Sequence, residues 1–203
     1  MSGVEEAVAA LRAGRAVVLP FDTVYGLAAD PSTPEPTRRL YELKGRAATQ
    51  PSALVAADVE RLVERIPELP GDAATHLEQL LPGPYTLILP NPARRFPWLA
   101  GTNPDAVGVR VPELRGPTAE VLRRLGAVVA TSANRPGEPD PATLADVPAE
   151  LRAGAGAVVD GGRLPGRAST VVDLTGPEPR IVREGVVAGD EVLRRLGSAV
   201  RSS

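Results

Sequence analysis

Apolar residues along the chain follow two patterns, which predict where strands and helices lie. Short continuous apolar runs bounded by Gly, Pro or polar residues are typical of buried strands. They predict strands at residues 16–19, 52–56, 85–89, 106–111, 127–130, 157–159, 170–174 and 180–183. Apolar residues spaced three and four apart are typical of amphipathic helices. They predict helices at residues 4–12, 34–43, 59–66, 72–81, 118–125, 144–153 and 190–196.

The order of these elements indicates the fold class. Strands and helices alternate irregularly, hairpin-like strand pairs come late in the chain, and no internal repeat is present. No stretch is convincing as a linker between domains. We therefore predict an α/β fold, a twisted mixed sheet with flanking helices, in one domain over residues 1–203.

One polar stretch and one lysine stand out near the N-terminus. The stretch 23–27 follows the first strand, and Thr23 is predicted to lie in a loop. The next helix delivers Lys44, the only lysine among 23 Lys and Arg residues. A compact ammonium on a flexible stem is well suited to holding phosphate oxygens. A surface lysine without a special role explains the count equally well, so both interpretations stay open.

Composition excludes several classes of protein. The net charge of −2 provides no overall attraction to nucleic acid or anionic membrane, so such a partner needs a local basic patch. Cysteine is absent, which removes disulfides, thiolate nucleophiles and Cys-based zinc sites. No apolar run approaches the roughly 20 residues that span a bilayer, and the N-terminus does not resemble a signal peptide. We expect a cytoplasmic protein without a membrane partner.

The remaining residues exclude familiar catalytic sites. His76 is the only histidine and lies inside a predicted helix, so we interpret it as a structural residue and not as a hydrolase base. One histidine without cysteine is a poor basis for zinc. The glycine patterns of P-loops and of dinucleotide-binding folds are both absent.

Polar residues collect just beyond several apolar strands, where α/β sheets usually bind ligands. Their hydroxyl, amide and guanidinium groups, together with Lys44 and Arg46, suit an anionic ligand such as a polyphosphate or a carboxylate. A site of this kind would act by positioning and by electrostatic stabilisation, as in phosphoryl or nucleotidyl transfer. The strand-end residues are Thr23, Arg110, Thr131, Ser132, Asn134, Ser169, Thr170 and Arg183.

Seven short motifs occur in an order and at spacings that resemble the YrdC-like family, the threonylcarbamoyl-AMP synthases of tRNA modification. Each motif is weak alone, but together they extend over residues 16–185, and the chain resembles the short, single-domain form of the family. The motifs are PFDTVYGL at 20–27, KGR at 44–46, PGPYT at 82–86, VRVP at 109–112, TSAN at 131–134, STVVD at 169–173 and REG at 183–185.

The resemblance implies a fold and a reaction. The fold has a concave, positively charged face that binds ATP and L-threonine. L-threonine, bicarbonate or CO2, and ATP would give threonylcarbamoyl-adenylate and pyrophosphate. Other proteins, the tRNA threonylcarbamoyl-transferases, would pass the group to adenosine 37 of tRNA, and contact with tRNA or double-stranded RNA is possible. Magnesium would be carried by ATP, without a dedicated protein site or a prosthetic group.

The resemblance also assigns residues. Lys44, Arg46 and Ser132 would be catalytic. The threonine-binding residues would be Thr23, Arg110, Thr131 and Ser169. The ATP-binding residues would be Lys44, Arg46, Gln50, Ser132, Asn134 and Arg183.

Three positions depart from the family pattern. Phe21 replaces a threonine, Gln50 replaces an asparagine and Pro136 replaces a serine. The first two remove or alter a substrate contact, whereas the third is expected to affect only the loop.

Two alternative functions are compatible with parts of the sequence. A non-enzymatic module could bind double-stranded or ribosomal RNA through the same basic face, although the net charge and few aromatic residues do not favour it. A carbamoyl-transfer module of the hydrogenase-maturation type is disfavoured because Cys-rich zinc segments are absent.

Overall fold

The computed structural model describes residues 3–69 and 71–200, and in this part of the chain eight strands form one mixed sheet. The strands are β1 (Val17–Pro20), β2 (Tyr25–Ala29), β3 (Ala53–Ala56), β4 (Tyr85–Pro90), β5 (Ala106–Arg110), β6 (Ala127–Ser132), β7 (Thr170–Asp173) and β8 (Arg180–Arg183). Their order across the sheet is β1-β2-β6-β3-β5-β4-β7-β8. β3 runs parallel to β5 and β4 parallel to β7, whereas the other neighbours are antiparallel. The predicted α/β fold with a mixed sheet is confirmed.

Helices flank both faces of the sheet. They are α1 (Gly3–Arg12), α2 (Pro34–Lys44), α3 (Val59–Arg65), α4 (Gly71–Leu80), α5 (Pro117–Leu125), α6 (Ala149–Gly154) and α7 (Gly189–Val200). Two single-turn 3-10 helices lie at Pro97–Leu99 and Leu144–Asp146. No helix in the described ranges is long and apolar enough to cross a membrane.

The two faces of the sheet are covered unequally, and this positions the site. On one face, residues from α2, α3, α4, α6 and α7 form the larger core, and strand residues such as Leu87, Val109 and Val172 belong to it. On the other face, α1 and α5 cover only β1, β2, β3 and β6. Because strand side chains alternate between faces, β4, β5 and β7 present their remaining residues to an open concavity.

Thr23 lies in the predicted loop after β1, but the sequence predictions miss β2, which begins at Tyr25. All five residues of β2 are buried, and they pair with β1 on one side and β6 on the other. β2 is short, contains a glycine and follows β1 closely, so its sequence does not separate it from a turn. Long-range pairing with β6 decides its conformation.

Two other elements also differ from the predictions. The helix predicted over 144–153 is divided into a 3-10 turn and α6, because Pro148 interrupts it. The strand predicted over 157–159 makes only a single parallel bridge, between Val158 and Val18. The backbone of this segment forms hydrogen bonds only with β1. It therefore lies along the edge of the sheet and is not a ninth strand.

Several side chains stabilise these elements locally. Asp58 caps α3, since its side chain accepts a hydrogen bond of 2.7 Å from the Arg61 backbone N–H. Trp98 packs against the larger core and meets the Phe96 ring edge-on at 6.0 Å. His76 is half-buried inside α4.

Gly185 is required by a close approach of two backbone segments. A Cβ placed on it would lie 2.2 Å from the Ala168 oxygen and 2.4 Å from the Thr170 nitrogen. We therefore expect Gly185→Ala to lower the free energy of unfolding by about 3 kcal/mol or more, because neither neighbour is a movable side chain. Gly197→Ala is the matched control. Gly197 lies within α7 with no atom within 4 Å of its added Cβ, so this change should raise stability by about 0.5–1 kcal/mol. Urea unfolding of the two variants measures both effects, and equal stabilities would contradict the expectation.

Candidate active site

A cavity of about 410 Å³ occupies the concave part of the sheet face that α1 and α5 leave open. Ile88 of β4, Gly108 of β5 and Val171 of β7 form its floor. These three residues alternate with the core residues of the same strands, so the floor follows directly from strand periodicity. The floor is apolar, and the walls carry most of the polar groups.

The cavity brings together seven of the ten residues that the family resemblance assigned to a site. These lining residues are Thr23, Arg46, Arg110, Thr131, Ser132, Ser169 and Arg183. Lys44, Gln50 and Asn134 are not among the residues that line it. Lys44 and Asn134 are buried, whereas Gln50 is exposed on the loop after α2.

Arg110 and Asp22 form a buried ion pair at one end of the cavity. The guanidinium Nη2 donates to Asp22 Oδ1 and, at 2.8 Å, to the Thr23 hydroxyl. Burial raises the pKa of Asp22, and the neighbouring Arg110 charge opposes this shift. Asp22 holds Arg110 from behind, because Arg110 lines the cavity and Asp22 does not.

Arg46 and Arg183 are guanidinium groups without an acidic partner among the described residues. Arg46 Nη2 donates to the Pro51 carbonyl at 2.6 Å, and Arg183 Nη2 donates to the Ser169 carbonyl at 2.9 Å. Burial lowers the pKa of Arg46, and repulsion from Arg183 adds to the effect. Burial likewise lowers the pKa of Arg110, with Arg183 again contributing. Three cations that repel one another around one cavity form a site for an anion.

Ser169 connects the Arg183 side of the cavity with its floor. Its hydroxyl lies 2.8 Å from the hydroxyl of Thr86, which also lines the cavity. The Ser169 side chain is 3.4 Å from Arg183 Nη2. Thr86 lies on β4, and Ser169 directly precedes β7, the parallel neighbour of β4. This arrangement brings the two hydroxyl groups together beside the Arg183 guanidinium.

Lys44 lies behind the turn that follows β6 and is only 2% exposed. Its ammonium donates to the Ser132 carbonyl, to the Asn134 carbonyl at 2.7 Å and to Asn134 Oδ1 at 2.9 Å. The Ser132 hydroxyl donates to the same Oδ1 at 2.6 Å. Lys44 is therefore part of the structure of this turn, not of the cavity surface.

The pKa of Lys44 offers a direct measurement, because the chain has no other lysine. Burial, and to a smaller extent the charge of Arg46, lower this pKa from 10.5 to about 8, and the charges of Asp140 and Glu138 oppose the shift. We expect a single ε-¹³C-lysine NMR signal to titrate near pH 8, at higher pH in Arg46→Gln and at lower pH in Asp140→Asn. Between pH 8 and 10.5 Lys44 is protonated in the unfolded chain but largely neutral in the folded chain. The contribution of Lys44 to the free energy of unfolding therefore increases as the pH rises through this range. A midpoint of 10 or above would contradict the expectation.

Comparison with known proteins identifies the family. The model of the Sua5/YciO/YrdC domain, described as telomere recombination, matches residues 9–185. The chain belongs to the Sua5/YciO/YrdC family. Among curated relatives, a putative threonylcarbamoyl-AMP synthase of Mycobacterium tuberculosis is 31% identical over 196 residues, covering 96% of this chain and 89% of the relative. The threonylcarbamoyl-AMP synthase of Pyrococcus abyssi is 33% identical over 190 residues, covering 92% and 55%.

Solved structures of the family share the fold. P. abyssi Sua5 complexed with L-threonine superposes with a TM-score of 0.85 at 31% identity, over 98% of this chain and 60% of that chain. E. coli YciO superposes with a TM-score of 0.79 at 26% identity, over 91% and 90%. The chain thus spans a little over half of the Pyrococcus protein and nearly all of YciO. HypF, at 20% identity, shares the fold alone.

Two residues of this Sua5/YciO/YrdC site were missed by the sequence analysis. Asp22 precedes Thr23 in the first motif, yet nothing local indicated that it would meet Arg110, 88 residues away. Thr86 occupies the second position of β4, and strand alternation could have placed it on the same face as Ile88. For Asp22 the available signal was an acidic residue amid an otherwise apolar segment.

Proposed function

We propose that this protein is a threonylcarbamoyl-AMP synthase, which converts L-threonine, bicarbonate or CO2, and ATP into threonylcarbamoyl-adenylate and pyrophosphate. The observation that carries the proposal is the convergence of Thr23 and Arg110 with Arg46 and Arg183 on one cavity. The P. abyssi relative crystallised with L-threonine supports the choice of amino acid.

Arg110 would bind the carboxylate of L-threonine. Its Nη2 is held by Asp22 and Thr23, so its orientation is set before the substrate arrives. A planar guanidinium suits a carboxylate because it donates two parallel hydrogen bonds. Thr131 and Ser169 line the same cavity and would contribute to the polar surroundings of the amino acid.

Arg46 and Arg183 would bind the triphosphate. Both have donors that no carboxylate occupies, and both lie beside the apolar floor, which offers a surface for the nucleoside. Gln50 lies on the exposed loop beyond Arg46, where its side chain could reach the nucleotide. Magnesium would arrive with the triphosphate, whose oxygen atoms would bind it.

The chemistry would proceed in two steps. The amine of L-threonine attacks the carbon of CO2, loses a proton and becomes a carbamate. A carbamate oxygen then attacks the α-phosphorus of ATP in line, the bond to the bridging oxygen breaks, and pyrophosphate leaves. Positive charge from Arg46 and Arg183 would stabilise the charge that develops on the phosphates.

The product is a mixed anhydride, so a separate acyl-transfer reaction must consume it. We propose that tRNA threonylcarbamoyl-transferase proteins take the group from this adenylate to adenosine 37. This role would place the protein in the cytoplasm, and any contact with tRNA would be part of the same proposal.

Pyrophosphate release from ATP tests the function. The wild-type protein should release pyrophosphate only when L-threonine, bicarbonate and ATP are all present, and omission of any one should reduce the rate to background. Equal release without L-threonine would contradict the proposal. Salt-dependent binding of double-stranded RNA without turnover would instead support a binding module.

A further inference from the structure

The ammonium of Lys44 has no donor left for a substrate. Lysine carries three N–H donors, and the turn after β6 takes all three through the Ser132 carbonyl, the Asn134 carbonyl and Asn134 Oδ1. The Ser132 hydroxyl, at 3.5 Å, lies at the limit of a fourth contact. With 2% of the residue exposed, a phosphate oxygen could reach Nζ only if this turn opened.

These contacts determine the orientation of the Asn134 side chain. Because lysine only donates, the amide atom that faces it must be the oxygen. The amide nitrogen then points the other way, where it donates to the Glu138 carbonyl at 2.6 Å. Asn134 Oδ1 has two lone pairs, of which Lys44 takes one and the Ser132 hydroxyl, at 2.6 Å, takes the other.

The direction of the Ser132 hydrogen bond follows. An amide oxygen accepts and does not donate, so the Ser132 hydroxyl proton must point toward Asn134. Ser132 lines the cavity, and its oxygen therefore presents lone pairs to the cavity. A hydroxyl in this state accepts a hydrogen bond from a ligand and does not donate one.

We infer that Lys44 is a positioning residue: it stays on the turn when substrates bind and makes Ser132 a hydrogen-bond acceptor for an N–H group of the amino-acid substrate. The inference rests on the proposed function and changes the assignment that the family resemblance gave to Lys44 and Ser132. The phosphates are then left to Arg46 and Arg183.

The charges around the turn support this division. An ionised phosphate oxygen has only lone pairs, so it is repelled by an acceptor that faces it, whereas the amine of an amino acid brings N–H donors. The carboxylates of Asp140 and Glu138 as well as the guanidinium of Arg46 act on Lys44, so the charge around this turn is mixed, whereas Arg183 has no acidic partner among the described residues. The Ser132 oxygen, as an acceptor, is therefore best matched by an N–H donor, which is the amine or the carbamate N–H of the amino-acid substrate.

A double-mutant cycle with kcat/KM tests whether Lys44 acts through Ser132. Lys44→Met and Ser132→Ala should each lower kcat/KM for L-threonine roughly tenfold or more, and the double variant should lie within about threefold of the worse single variant. Lys44→Met combined with Arg183→Gln is the matched control, for which the losses should multiply. Multiplying losses for Lys44 and Ser132 would overturn the inference.

The dependence on each substrate separates positioning from phosphate binding. Ser132→Ala should raise KM for L-threonine roughly tenfold and leave KM for ATP within about twofold. Arg183→Gln should show the opposite pattern. A larger effect of Ser132→Ala on ATP than on L-threonine would overturn the acceptor role.

NMR of the wild-type protein tests whether Lys44 stays on the turn, even if Lys44→Met fails to fold. With ¹⁵N-lysine the chain gives one Nζ signal, since Lys44 is its only lysine. This signal should keep its position when Mg-ATP and L-threonine are added, while the ³¹P signals of ATP shift. A moving Nζ signal in an active enzyme would overturn this inference alone. Failure of the wild type to form pyrophosphate would instead count against the synthase.

Discussion

Arg110→Gln should lower kcat/KM for L-threonine by about 10²–10³-fold. The substitution removes the guanidinium that would bind the substrate carboxylate and leaves Asp22 buried without its cation. Removing one partner of a buried, hydrogen-bonded charge pair, here the guanidinium that would pair with the substrate carboxylate, costs about 2–5 kcal/mol. A cost of this size corresponds to the expected loss in kcat/KM. Pyrophosphate release over a range of L-threonine concentrations measures the effect.

A loss of activity in Arg110→Gln could arise from misfolding, and a second variant separates the two causes. Asp22→Asn combined with Arg110→Gln removes both charges, so the buried carboxylate no longer opposes folding. We expect the double variant to melt close to the wild type and to stay as inactive as Arg110→Gln. Wild-type kcat/KM in the double variant would show that Arg110 does not bind the substrate.

Lys44→Arg should lower kcat/KM by at least about 100-fold although the positive charge is kept. The three acceptors of Lys44 converge on one nitrogen, and a planar guanidinium spreads its donors along two edges. The longer side chain must also fit where Lys44 is only 2% exposed, and overpacking of this kind costs about 1–3 kcal/mol. Steady-state kinetics and thermal melting report the two effects.

Arg12→Lys is the matched control for this exchange. Arg12 is exposed in the last turn of α1 and does not line the cavity, so the reverse substitution should leave activity and stability within experimental error. A Lys44→Arg enzyme with more than a third of the wild-type kcat/KM would mean that the ammonium geometry has no role in the turn.

Local sequence was sufficient for most of the fold. The strands at β4 and β5 follow from short apolar runs, and α3 follows from the Asp58 cap and its helical spacing. In two of the three places where the prediction failed, pairing with other strands decided the conformation, whereas Pro148 divided the helix predicted over 144–153. β2 is a strand because it lies between β1 and β6, and the segment around Val158 is not one because only β1 is available to it.

The candidate site was predictable in its members but not in their roles. Polar residues at the ends of apolar strands identified Thr23, Arg110, Ser169 and Arg183, and all four line the cavity. The sequence singled out Lys44 as a residue that would hold phosphate oxygens. Its partners Ser132 and Asn134 are 88 and 90 positions away, and only their carbonyl groups show that the ammonium is already occupied.

The sequence alone determined most of the strands and helices, the solitary lysine and the ordered set of family motifs, because spacing and residue type are local properties. The tertiary structure decided which part of the sheet stays uncovered, since that depends on where α1 and α5 pack. It also decided that Asp22 pairs with Arg110 and that the Ser132 hydroxyl points toward Asn134. These are contacts between distant segments, and their geometry exists only after the sheet has assembled.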